Sequence, residues 1–428
     1  MASFLIRGGR RLEGEHSLQG AKNSALPILA AAAATGGVCR IRRCPALTDV
    51  DATLNILRCL GCGVVRQGDT VTVDASGLSR AQIPDELMQE MRSSIIFLGP
   101  LLAALGCAEL SAPGGCEIGK RPIDFHLDAM RALGVEIRQE GGRLFFRAER
   151  GLRGARIALP FPSVGATENL MIAAARAKGA TTLANAAREP EILDLAAFLA
   201  ACGAKILGAG SSTLVIEGVQ KLHGAEHTVI PDRIAAATYL SAAAITGGAL
   251  LLREARPGHM RAFLAALERA GCSLQSPPDA LYLKAPARLR HFPPLITRPY
   301  PGFPTDAQAN ILALASAAEG TSRITETIFE NRFRHADELR RMGARILVLE
   351  GGSGKREAVI EGVPGLHGAR VDACDLRAGA SLVVAGLCAE GETRVCDIRH
   401  IDRGCERLEE GLRALGADII REDQNCEP

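Results

Sequence analysis

The sequence of 428 residues contains no tryptophan, three tyrosines and only 4% aromatic residues. That poverty excludes the base-stacking platforms used by single-strand nucleic-acid binders. Charge of one sign is lacking as well, because 50 Lys and Arg stand against 48 Asp and Glu for a formal +2. No polybasic coat is available, and any anion binding falls to local clusters. Long apolar runs are also missing: residues 95–110 are short for a bilayer span and are broken by Gly99, Pro100 and Gly106. Residues 1–9 lack the apolar core of a signal peptide. The 13 cysteines are odd in number and scattered through apolar stretches, which suits a reducing compartment better than a disulfide framework. The pair Cys59 and Cys62 has metal or redox spacing, but no second such pair and no paired histidines accompany it. These absences predict a cytoplasmic globular protein with neither nucleic acid nor membrane as partner, and 428 residues, too many for one ordinary core, predict two domains.

What is present is repetition. The motif CLGCGVV returns as ALGVEI, ACGAKI, RAGCSL, RMGARI and ALGADI, centred on Gly61, Gly134, Gly203, Gly271, Gly343 and Gly416. The successive spacings are 73, 69, 68, 72 and 73, so one unit of about seventy residues fits six times. In phase with it run six small-residue, almost wholly apolar segments that stop near Gly37, Gly106, Gly179, Gly248, Gly320 and Gly391, read as left-handed helix C-caps. A helix apolar around its whole circumference is buried on every side, whereas the second helix of each unit, as in residues 262–270 and 338–342, is amphipathic. The expectation is α/β: two three-unit domains, each with sheets outside three buried Ala-rich helices. The third unit closes near Ile230. Residues 1–21 supply strand-like pieces at 4–6 and 15–18 that could complete either half; joined to the second, they give domains of 22–230 and of 1–21 plus 231–428.

Chemistry gathers at two kinds of position. One is the glycine-rich loop of residues 112–122, where Gly114 and Gly115 hinge the backbone, Pro113 and Pro122 fix its ends, and Cys116 is followed by Lys120 and Arg121. Nearby cations favour thiolate and attract anionic ligands. The other is the start of each buried helix: Lys22 and Asn23; Met91, Arg92 and Ser93; Ser163, Val164 and Gly165; Asp232 and Arg233; Asp306; Asp375, Leu376 and Arg377. Unpaired N–H groups at helix N-termini bind anions. Capping accounts equally well for Ser163, Asp232 and Asp306, but cations such as Lys22, Arg92 and Arg377 are disfavoured there without an anion nearby. Arg121, Arg188, Arg332 and Arg403 add guanidinium forks suited to carboxylate or phosphate.

Ten runs, LQGAKNSALPILAA, MRSSIIFLGPL, PGGCEIGKRPID, SVGATEN, NAAREPEI, PDRI, FPTDAQ, TETIFENRF, DLRAGASLV and HIDRG, together resemble in order the UDP-N-acetylglucosamine 1-carboxyvinyltransferases, across essentially the whole chain. The resemblance implies a pair of inside-out α/β barrels (the EPSP synthase-like fold) with the active site between them. It also implies transfer of the enolpyruvyl group of phosphoenolpyruvate to the 3′-hydroxyl of UDP-N-acetylglucosamine, with no metal or organic cofactor. Carried over by motif, Cys116 is the proton donor and the thiol open to fosfomycin-type epoxides, and Asp306 is the base. Lys22, Arg121 and Arg403 take the phosphate, and Arg332 with Arg403 takes the carboxylate. Asn23, Arg92, Arg121, Pro122, Ile123, Asp124, Phe125, Ser163, Val164, Gly165 and Ile328 are nucleotide-sugar contacts, with Arg377 lining the same site. The chain departs from the pattern at Phe161 and Pro162, at Ala235 and Ala236, and at Cys405, which puts affinity in doubt rather than reaction type.

Overall fold

Three helices of one sequence type need small side chains to approach each other, and alanine supplies them. In a computed structural model of the chain, which describes residues 2–111, 123–351 and 355–423, the apolar segments form the helices Lys22–Ala32, Leu98–Leu105, Val164–Ala174, Arg233–Ile245, Gln308–Ala317 and Leu376–Cys388. Nearly every residue in them is buried. The described residues divide into two compact units, one of 20–111 with 123–230, the other of 2–19 with 231–351 and 355–423. Each has its own continuous hydrophobic core. In the second, the Arg233, Gln308 and Leu376 helices all pack on one another; in the first, the Leu98 helix packs on both the Lys22 and the Val164 helices.

Among the described residues three small sheets and three outer helices surround each trio, with one more short helix, Asp85–Glu90, in the first unit. Strands such as Val38–Arg42 and Thr213–Glu217 alternate buried and exposed residues, the signature of a sheet with one face on the core and one in water. The outer helices Thr48–Cys59, Asp124–Ala132, Pro190–Ala201, Arg261–Arg269, Ala336–Arg341 and Leu408–Ala414 each end two residues before one of the six repeat glycines. All six glycines have φ between 89° and 106°, a left-handed stop that a side chain would strain. Among the described residues no helix is long and apolar enough to cross a membrane.

Two sequence expectations change. The left-handed residues after the first and fourth central helices are Gly36 and Gly247, not Gly37 and Gly248, and only Gly106 is itself the C-cap of its helix. Gly37 and Gly248 serve close packing instead: a Cβ on Gly248 would lie 2.0 Å from the Leu12 carbonyl oxygen, and one on Gly37 2.8 Å from the Gly224 nitrogen. The repeat also contains an element that the sequence pattern revealed only at 15–18, a short strand pairing in parallel with the strand that follows the central helix. Arg156–Ala158, Glu226–Thr228, Glu13–Ser17, Leu295–Ile296 and Arg370–Asp372 play this part, and a single bridge from Gln82 to Glu109 does so in the three-stranded sheet. Most are two or three residues long, below the reach of a period-two signal. Ser3–Arg7 lies between Glu392–Cys396 and Asp418–Glu422, so the N-terminal segment completes the last sheet of the second unit.

Candidate active site

In the first unit, Lys22 opens its helix with no side-chain cap, and its Nζ lies 2.5 Å from a carboxylate oxygen of Asp49, both side chains almost fully buried. The anion that a cation at a helix N-terminus demands is thus partly supplied by the protein itself. Sequence reading missed Asp49, one of two acidic residues in the first turn of the neighbouring helix. Half-buried Asn23 follows, and Ser24 donates to Asp194, whose other oxygen meets His227 Nε2 at 2.8 Å. This buried bridge fastens the start of the Lys22 helix to an outer helix and an edge strand.

Arg92 opens a 3-10 segment, Arg92–Phe97, rather than the α-helix itself. Ser163 caps its helix by accepting from the Ala166 N–H at 3.4 Å, with Val164 and Gly165 as the first helical residues. Ile123 precedes the helix opened by Asp124 and Phe125, and a Cβ on Gly165 would meet His126 Cε1 at 3.3 Å, so the two helix starts are packed together. Cys116, Arg121 and Pro122 lie outside the described residues.

In the second unit the expected base sits in a clamp. Asp306, in the 3-10 turn Thr305–Ala307, accepts from Arg332 on one oxygen at 2.9 Å and from Arg377 on the other at 3.2 Å. The guanidinium groups are 3% and 10% exposed and the carboxylate 28%, so buried cations hold up an accessible anion. Asp306 therefore acts as an ion-pair partner and not as a helix cap. These two bonds, one on each oxygen, orient the carboxylate. Arg332 Nε, buried, meets no acceptor among the described residues.

Deeper groups support the clamp. Asp375 caps the Leu376 helix by accepting from the Arg377 and Ala378 N–H groups at 2.8 and 3.1 Å. Burial alone would raise the Asp375 carboxyl, but Arg332, those N–H groups and His335 outweigh it and hold it below the ordinary range. Burial drives the His335 imidazole down to about 4, with Asp375 opposing and Arg332 reinforcing the shift. Arg377 stays fully charged, because Asp306 and Asp232 outweigh the burial that would otherwise lower it.

Glu326, also overlooked in sequence, is a buried hub. One oxygen accepts from Thr297 and from the N–H of Ile328, at 2.7 Å each, and the other from Thr305 at 2.9 Å. It thereby fixes the residue before Asp306 and the loop leading to Arg332 together. Arg403 ends the 3-10 segment Ile398–Arg403. The Gln19 side chain pins the turn beyond it by donating to the Gly404 carbonyl at 3.1 Å and accepting from Glu406 N at 2.8 Å. A Cβ on Gly404 would lie 2.6 Å from Leu376, which keeps the Arg403 turn against the start of the Arg377 helix. Ala235, Ala236 and Cys405 are all buried.

The family model for EPSP synthase (3-phosphoshikimate 1-carboxyvinyltransferase) matches residues 6–425. The chain is 51% identical over 421 residues to UDP-N-acetylglucosamine 1-carboxyvinyltransferase 2 of Caldanaerobacter subterraneus subsp. tengcongensis, covering 98% of this chain and 100% of the relative. It is 49% identical over 421 residues to the UDP-N-acetylglucosamine 1-carboxyvinyltransferase of Gluconobacter oxydans, covering 98% and 99%. Among solved structures, the enolpyruvyl transferase NikO from Streptomyces tendae superposes with a TM-score of 0.87 at 29% identity over 98% of both chains. EPSP synthase from Acinetobacter baumannii, at 20% identity and a TM-score of 0.76 over 99% of this chain and 100% of that one, shares the fold. Repeat architecture and full-length similarity agree: the chain belongs to the UDP-N-acetylglucosamine 1-carboxyvinyltransferases, within the EPSP synthase family.

Proposed function

We propose that the chain transfers the enolpyruvyl group of phosphoenolpyruvate to the 3′-hydroxyl of UDP-N-acetylglucosamine, releasing phosphate, the first committed step of peptidoglycan synthesis. The observation that carries the reading is the Asp306 carboxylate held between Arg332 and Arg377. Asp306 takes the proton of the sugar hydroxyl as its oxygen bonds to C2 of the donor, and Cys116 delivers a proton to the methylene carbon. The tetrahedral adduct then loses a proton from that carbon and expels phosphate. Lys22, Arg121 and Arg403 stabilise the departing phosphate, and Arg332 and Arg403 hold the carboxylate. The nucleotide sugar is held by Asn23, Arg92, residues 121–125, Ser163, Val164, Gly165, Ile328 and Arg377. Substrates this highly charged do not cross membranes unaided, which puts the reaction in the cytoplasm.

Phosphate release, measured with UDP-N-acetylglucosamine and separately with shikimate 3-phosphate, tests the reading. Release with the nucleotide sugar alone, lowered about 10²- to 10⁴-fold in Asp306→Asn, is the expected result. Silence with both acceptors in a folded preparation would overturn it. An epoxide phosphonate of the fosfomycin type is expected to label Cys116 selectively. Burial pushes the Cys62 thiol up to about 11 and those of Cys272, Cys374 and Cys388 up to about 12, which keeps them protonated and poorly nucleophilic. Cys39, drawn down to about 6 chiefly by its hydrogen bond with Cys202, is fully buried and out of the reagent's reach. Peptide mapping checks this, and label on another cysteine would sink the assignment.

A further inference from the structure

We propose that Asn169 is the positioning residue for nucleotide-sugar binding, acting by locking three binding segments and the tautomer of His126 with one side chain. The inference rests on the functional reading above. Asn169 lies one turn into the Val164–Ala174 helix and is fully buried. Its Oδ1 accepts from the backbone N–H of Gly99 at 2.7 Å. Its Nδ2 donates to the Ile95 carbonyl at 2.9 Å and meets His126 Nδ1 at 2.8 Å. The first bond ties down the start of the Leu98 helix, the second the 3-10 segment that Arg92 opens, and the third the helix start bearing Ile123, Asp124 and Phe125. Asn169 itself stands on the helix that begins with Val164 and Gly165. Three stretches that resemble nucleotide-sugar contacts, with the start of the Leu98 helix, therefore meet at one amide.

The orientation of that amide follows from its partners. A backbone N–H can only donate and a carbonyl can only accept, so Oδ1 must face Gly99 and the NH₂ group must face Ile95. The same NH₂ group faces His126 Nδ1, which is then left no role but acceptor. His126 consequently holds its proton on Nε2, the ring edge that lies beside Gly165, at the N-terminal end of the Val164 helix. The packing admits no loose fit, because a Cβ on Gly99 would stand 2.5 Å from the Asn169 carbonyl oxygen.

Two measurements test the proposal. In protein labelled with ¹⁵N-histidine, the His126 resonances are expected to show an unprotonated Nδ1 and a protonated Nε2, and Asn169→Asp, which replaces the donor with an acceptor, moves the proton to Nδ1. In steady-state kinetics, Asn169→Leu is expected to raise KM for UDP-N-acetylglucosamine on the order of 10- to 100-fold while KM for phosphoenolpyruvate stays within about twofold. A merely structural role would move both constants or neither. A wild-type His126 protonated on Nδ1, or a folded Asn169→Leu enzyme with both constants unchanged, would overturn the proposal. Should Asn169→Leu fail to fold, the tautomer of the wild-type protein decides. If the wild type releases no phosphate with the nucleotide sugar, the functional reading falls, and the lock stands or falls on the tautomer alone.

Discussion

At the residue scale the candidate site is a set of charges whose partners come from elsewhere in the sequence. Lys22 and Asp49 form a buried pair, and removing one partner of such a pair costs about 3–5 kcal/mol because the other charge is left desolvated. Asp49→Ala is therefore expected to destabilise by that amount in denaturant titration. A Lys22→Met, Asp49→Leu double variant should recover most of the stability but none of the phosphate release, separating the structural from the chemical role. Glu168 gives a pH-dependent case. Burial, reinforced by Glu191 and Glu189, raises its folded-state pKa well above 4.5, so above that pH the folded state binds more protons than the unfolded one and stability falls as pH rises. Glu168→Gln is expected to melt higher than wild type at about pH 8, the gap closing as the pH drops through 4.5. An unchanged gap across that range would exclude the protonated carboxyl. Lys22, Asp306 and Arg377 were legible in sequence because polar residues at the start of all-apolar helices stand out. Asp49, Glu326 and Gln19 were not, because nothing local distinguishes a carboxylate or amide that acts on a residue from another part of the chain.

At the element scale, close approach outweighs intrinsic preference. Gly99 lies inside the helix Leu98–Leu105, where alanine would gain about 1 kcal/mol by propensity. Its Cβ would stand 2.5 Å from the Asn169 carbonyl oxygen and 2.9 Å from Oδ1, and forcing apart two packed backbones costs about 1–3 kcal/mol. Gly99→Ala is accordingly expected to lower the urea midpoint, and a raised midpoint would show that the helices slide apart freely. Ser163, Asp232 and Asp375 do cap their helices, as their residue types allow, whereas Asp306 has the same residue type as two of them and a different task. Only its neighbours decide between cap and ion pair.

At the scale of the whole molecule, the N-terminal strand decides how the repeats close. Ser3–Arg7 runs between the strands Glu392–Cys396 and Asp418–Glu422, with Phe4 and Ile6 fully buried. Deleting residues 2–7 is expected to strip hydrogen-exchange protection from Glu392–Cys396 and Asp418–Glu422 while Thr70–Asp74, in the other core, keeps its own. Unchanged protection at 392–396 would show that the sheet closes without it. The sequence alone determined the six-fold repeat and the buried helices, and it singled out the charged groups of the candidate site, because periodicity, alanine content and glycine stops are local properties that survive reading one residue after another. Only the tertiary structure decided which sheet takes residues 3–7, which glycine of each pair turns left-handed, and that Asp49, Asn169 and Glu326 bond to the segments of the candidate site. Those outcomes depend on which backbones and buried charges meet in space, and sequence order does not encode such meetings locally.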